Sequence, residues 1–177
     1  MEEICVTRLT ALAQLLDRFS ATIGKYISWL ALAMVLIQFL LVLARYVFGI
    51  GLIALQESVI YSFALLFMVG AADTLRRDGH VRIDILYEKL GEKGRAAINF
   101  LGSLFLLIPV CLVILILSWP YVSGSWQIME GSREGTGLPF LFLLKSLLLV
   151  FPITMILQGI ATILRSMSVL LRWEDMA

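Results

Sequence analysis

Four apolar runs, each about twenty residues long, dominate this chain of 177 residues. A helix rises 1.5 Å per residue and the hydrocarbon core of a bilayer is about 30 Å thick, so about 20 apolar residues make one crossing. The runs fall at about 26–48, 52–75, 98–122 and 139–164. In lipid no backbone polar group can be left bare, so only helices or a closed barrel span. Runs this long and continuous choose helices. Composition agrees: 60% of residues are apolar or aromatic, 15% are charged, and mean hydropathy is +0.96. Those values exclude a soluble globular enzyme, a disordered tail and a nucleic-acid-binding domain. A net charge of +1 supplies no field to gather polyanions. The residues left over suffice for short loops and an amphipathic arm, not for a catalytic domain.

The expected architecture is an all-α membrane protein with four transmembrane helices. Residues 1–25 form an N-terminal arm, 26–165 the membrane domain and 166–177 a tail. In the arm, Leu9, Leu12, Leu16, Phe19 and Ile23 recur at spacings of three and four, while Arg8, Gln14, Asp17 and Arg18 fall mostly elsewhere. Such a helix lies in the membrane interface, or faces water and packs on a partner subunit. The early charges Arg8, Asp17, Arg18 and Lys25 argue against a cleavable signal.

Span one carries Tyr26 and Trp29 at one interface and Tyr46 and Phe48 at the other. Arg45 snorkels outward, and Gly49 and Gly51 supply a turn into span two. The polar segment 73–97 follows, where Ile83, Leu86 and Leu90 predict a short interfacial helix closed by Gly91. Pro109 and Pro152 should kink spans three and four, and Pro139 suits the first turn of span four. Basic residues set orientation. With the N-terminus inside, eleven (Arg8, Arg18, Lys25, Arg76, Arg77, Arg82, Lys89, Lys93, Arg95, Arg165, Arg172) face the cytoplasm and three (Arg45, Arg133, Lys145) face outward. Both termini are therefore expected to be cytoplasmic.

A charge in mid-span costs about 2.5–3.5 kcal/mol on insertion scales, so each such residue needs a reason. Glu57 heads a stripe in span two with Tyr61, Ala64, Met68 and Ala71. It either anchors helices, pairing with Lys145, Arg45 or a partner group, or binds a proton or cation. Gln38, Asn99 and Gln158 read as packing contacts, as does the stripe Asn99, Gly102, Ser103 and Leu106. Arg76, Arg77 and Arg82 suit lipid phosphates or a partner's carboxylates. His80 is the single histidine, too few for bis-histidine haem or for zinc without other ligands. Cys5 and Cys111 have no framework spacing, so one is read as a free thiol and the other as a packing residue. No nucleophile–base pair, phosphate loop or paired carboxylate is visible, and no cofactor is expected.

The stretch from Gln56 to Leu90 goes beyond composition. A glutamate early in a span, the pair Gly70 and Ala71, and then Leu75–Asp84 (LRRDGHVRID) resemble the small membrane subunit of tripartite ATP-independent periplasmic (TRAP) transporters. Arg76, Gly79, His80, Val81, Arg82 and Asp84 carry the likeness. Trp126, Glu130, Gly137, Leu138, Pro139, Lys145, Gln158 and Gly159 resemble a longer-loop subset. Many members carry two adjacent acids where this chain has Gln56 and Glu57.

The resemblance implies a multi-pass protein of the bacterial inner membrane. It would scaffold a large membrane subunit that holds the substrate and sodium sites, fed with an organic acid by a periplasmic binding protein. Glu57, Arg76, Arg77, His80, Arg82, Asp84 and Lys145 are then candidate contacts to partner or phospholipid. Glu130, Arg133 and Glu134, in the outer loop, are candidates for docking the binding protein. A small multidrug exporter fits poorly, because its glutamate lies in the first span and dual insertion needs no charge bias. A membrane anchor or structural subunit of another inner-membrane complex is the alternative.

Overall fold

The computed structural model describes residues 2–80, 87 and 89–174. It is helical throughout its regular structure: α1 Glu2–Phe48, α2 Ile53–Arg76, α3 Glu92–Gly102, a π-helical turn Ser103–Leu107, α4 Ile108–Gln127 and α5 Leu141–Glu174. Four helical stretches are long and apolar enough to cross a membrane, with α3, the π turn and α4 counting as one. The first two form an antiparallel hairpin. Gly49, at φ +66°, ends α1, and the Ile50 N–H returns to the Ala44 carbonyl at 3.0 Å. A residue with a Cβ is strained in that left-handed conformation, and glycine is not.

The last helix in the chain is the central one. α5 packs against α1, α2, α3 and α4. Pro152, Gln158 and Ala161, on α5, are fully buried. Ala72 of α2, Cys111 of α4 and Met155 of α5 meet in a small apolar core, flanked by Leu75, Leu107 and Phe151. The helices' outward faces are apolar and exposed, as with Trp29, Leu36, Phe39, Phe67 and Ile116. In a lipid solvent that is the stable arrangement, since tails are as apolar as leucine and association rests on packing and polar contacts.

The arm and the first span are one helix, not two. α1 runs 47 residues, about 70 Å, against about 40–45 Å for a whole bilayer with its headgroups. Residues 20–30 contain no proline, and their one glycine serves a close approach instead of a hinge. A Cβ on Gly24 would lie 2.5 Å from Asp73 Cγ on α2. The face turned inward also differs from the predicted stripe. Ala13 and Ser20 are buried, whereas Leu12 and Phe19 are half exposed. In a membrane bundle small and polar residues turn toward neighbours. α5 likewise stays helical past residue 166, through Glu174, and Ser166 and Ser168 are buried.

Two further boundaries move. The third membrane helix begins at Glu92 and ends at Gln127, and the fourth begins at Leu141, after Pro139. Pro139 instead closes the neck of the preceding loop, with its Cα 3.4 Å from where a Cβ on Gly131 would be. The disturbance expected at Pro109 takes the form of the π turn just before it. The proline ring crowds the carbonyl four residues back, and a wider turn accommodates it. Leu106 faces outward at 69% exposure, so the small stripe predicted on this helix holds for buried Ser103 but not for Leu106. The interfacial helix predicted around Ile83 and Leu86 lies outside the described residues.

Candidate functional site

The polar side chains gather in two seams, one at each end of the bundle. At the end where α1 begins and α5 finishes, Asp17 of α1 faces Arg165 of α5. The Arg165 Nη2 donates to both carboxylate oxygens at 2.8 and 2.9 Å. Gln158 donates its amide N–H to Asp17 Oδ1 at 2.9 Å, and its carbonyl accepts the Ser20 hydroxyl at 2.7 Å. Gln158 is fully buried, so both ends of its amide need these partners. Asp17 lies seven residues, about 10 Å, beyond Gly24 along α1. The first half of α1 and the last turns of α5 therefore run on together past the end of α2.

One step nearer the bundle centre is Asp73, only 8% exposed. Arg76 Nε donates to one of its oxygens at 2.9 Å and Arg77 Nε to the other at 2.8 Å. The helix ends directly after these arginines. Asp78, at φ +55°, turns the chain, while its N–H reaches Leu75 and that of Gly79 reaches Thr74. This is the Schellman closure, with aspartate where glycine is commoner. His80 is exposed beyond it. Arg82 and Asp84 lie outside the described residues.

The opposite seam organises the loop between α4 and α5. A second Schellman closure ends α4: Met129 takes φ +44°, its N–H reaches Trp126 and that of Glu130 reaches Ser125. Glu130 is thereby aimed at α5. Its carboxylate accepts the Ser125 hydroxyl at 2.7 Å and pairs with the Lys145 ammonium. Lys145 also lies over the Tyr121 ring, 4.1 Å from its centroid. These contacts hold the Glu130 carboxyl below the ordinary carboxylate range, chiefly through the hydrogen bond from Lys145.

Glu57 does not pair with Lys145, one of the partners the sequence offers for it. Its two oxygens accept the Ser132 hydroxyl and the Leu138 backbone N–H, the latter at 2.6 Å. The loop closes on itself through Ser132 N–H to Leu138 carbonyl at 3.0 Å and Gly137 N–H to Glu134 carbonyl at 2.9 Å. Gly137 is required here, because a Cβ would lie 2.7 Å from Glu57 Oε1 and inside the Ser132 side chain. Glu130 is thus an internal joint and not a free docking group, while Arg133 and Glu134 stand exposed at the tip. Trp126 props the same corner, donating to Ser146 at 2.8 Å and meeting Phe142 edge-on at 4.8 Å.

Sequence reasoning passed over Asp17, Ser20, Asp73 and Arg165. Their spacing held the signal: Ala13, Asp17, Ser20 and Gly24 form a small polar stripe at helical period, and Gln158 and Arg165, seven apart, form its counterpart. Asn99, read as a packing contact, donates to the Tyr87 hydroxyl at 2.9 Å. Among the described residues no three His, Cys, Asp or Glu side chains converge as a bound metal would require.

Residues 34–169 match the family described as tripartite ATP-independent periplasmic transporters, DctQ component. A TRAP transporter small permease protein of Haemophilus influenzae is 36% identical over 100 residues, a stretch covering 56% of this chain and 56% of that protein. The chain therefore aligns with little more than half the length of that relative. No solved structure matches.

Proposed function

The chain belongs to the DctQ component family of tripartite ATP-independent periplasmic transporters, as a small membrane subunit, and from that membership we propose that it braces the transporter without moving solute itself. In this reading the large membrane subunit carries an organic acid inward, sodium ions drive it, and a periplasmic binding protein supplies it. The bracing subunit is non-catalytic and lies in the bacterial inner membrane with both termini in the cytoplasm. The eleven-to-three distribution of basic residues supports that orientation. The Asp17–Arg165 pair supports two termini on one side.

One observation carries the bracing role. Asp17, Glu57 and Asp73, carboxylates within or against the spans, each have both oxygens engaged by donors of the same chain. Each oxygen so engaged keeps fewer lone pairs to offer a cation. Asp17 ties α1 to α5 and Glu57 ties α2 to the outer loop, while Asp73 gathers the two arginines at the end of its own helix. Arg76, His80, Arg82 and Asp84 then shape the cytoplasmic corner for the partner subunit or phospholipid, and Arg133 and Glu134 meet the binding protein.

Uptake by reconstituted vesicles under a sodium gradient tests this. The chain with its large subunit and binding protein concentrates substrate, and the chain alone does not. Concentrative uptake by the chain alone overturns the bracing role. Reversing the loop tip with Arg133→Glu and Glu134→Lys lowers uptake and binding-protein docking. Unchanged docking removes the tip from that contact.

A further inference from the structure

We propose that the groove between α2 and α5, beneath the outer loop, seats one phospholipid with a zwitterionic phosphoethanolamine headgroup. This rests on the membrane reading of the chain and gives Arg133 and Glu134 to a lipid headgroup instead of the binding protein, so it stands or falls apart from the docking role. The groove has a volume of about 540 Å³. That is room for one acyl chain with part of a headgroup, the rest of the lipid lying in the surrounding bilayer.

Its chemistry changes with depth. The mouth holds Glu57, Arg133 and Glu134; the floor holds Met68, Leu144 and Leu148. Glu57 to Met68 spans eleven residues of α2, about 16 Å, which matches one leaflet, half of a hydrocarbon core of about 30 Å. An acyl chain hung from the mouth fills that length.

The mouth also selects a headgroup. Glu130 and Lys145 neutralise each other, and Glu57 is held by the loop. Arg133 and Glu134, adjacent, exposed and opposite in charge, are left to face the ligand. An arginine fork suits the phosphate and a carboxylate suits the ammonium. One turn below Glu57, the Tyr61 hydroxyl is buried with no hydrogen-bond partner among the described residues.

The test is native mass spectrometry of the full chain, released from nanodiscs of equal parts phosphatidylethanolamine and phosphatidylglycerol. One phosphatidylethanolamine is retained per chain, about fivefold over phosphatidylglycerol, the ratio expected from a solvent-facing ion pair. Ala64→Phe, which fills the groove, abolishes retention. The exposed double change Arg133→Ala and Glu134→Ala, which leaves the helices untouched, abolishes the headgroup preference. Absence of retained lipid, equal retention of both lipids, or a preference that survives the double change overturns the proposal. So does disulfide cross-linking of Leu144→Cys to a cysteine on a helix of the large subunit, because a protein would then occupy the groove.

Discussion

Glu57 accepts a hydroxyl from Ser132 and a backbone N–H from Leu138, so a residue of α2 fixes the shape of a loop more than seventy positions away in sequence. Hydrogen bonds to a charged group contribute about 1.5–3 kcal/mol, and glutamine can accept with only one of its two terminal atoms. Glu57→Gln is therefore expected to destabilise the protein by about 2 kcal/mol. Faster protease cleavage within 130–140, together with a lower Tm in detergent, checks it. Met129 poses the opposite case. It occupies a left-handed turn at φ +44° with its side chain largely exposed, so it bears the strain with little packing in return. Met129→Gly relieves that strain and should stabilise the protein by about 1 kcal/mol. A raised Tm with unchanged helical circular dichroism is the expected result.

Elements are joined here by polar seams and close apolar packing, and the visibility of these contacts in the sequence varied with their physics. The four apolar stretches were legible because lipid demands length and continuity of one chemistry. The Gly49 turn and the disturbance before Pro109 were legible because each follows from local backbone sterics. The partner of Lys145 was not, because Glu57 and Glu130 both lie near it and only the Schellman turn at Met129 aims Glu130 at α5. Asp17 was missed because hydrophobic periodicity places apolar residues inward, as water would require. In a bilayer the Asp17–Ser20 face is the one that seeks a neighbour. The joint between α4 and α5 has its own signature. Because the fold holds the Glu130 carboxyl low, the charged form is favoured in the folded state. Its contribution is complete above the ordinary carboxylate value of about 4.3 and disappears as pH falls through the lowered one. Tm curves of the parent and Glu130→Gln should lie apart at neutral pH and converge under strong acid. Curves that stay parallel would remove this pair from the stability of the joint.

Across the whole molecule, α5 touches every other membrane helix and holds the most deeply buried side chains. A chain ending at residue 140 would lack Gln158 and Arg165 for Asp17, Lys145 for Glu130, and Met155 for the core around Cys111. Such a fragment is expected to insert its earlier spans yet lose protease resistance at both polar seams. Expression of residues 1–140 with trypsin mapping checks this, and full resistance would show that the other helices cohere unaided. The order of synthesis gives that centrality a consequence. The ribosome delivers α5 after the other described helices, so those spans must wait in the bilayer, side by side but unlocked. The interval before the final helix emerges is when a newborn copy is most open to quality-control proteases, and slowing translation just upstream of Leu141 would lengthen that exposure.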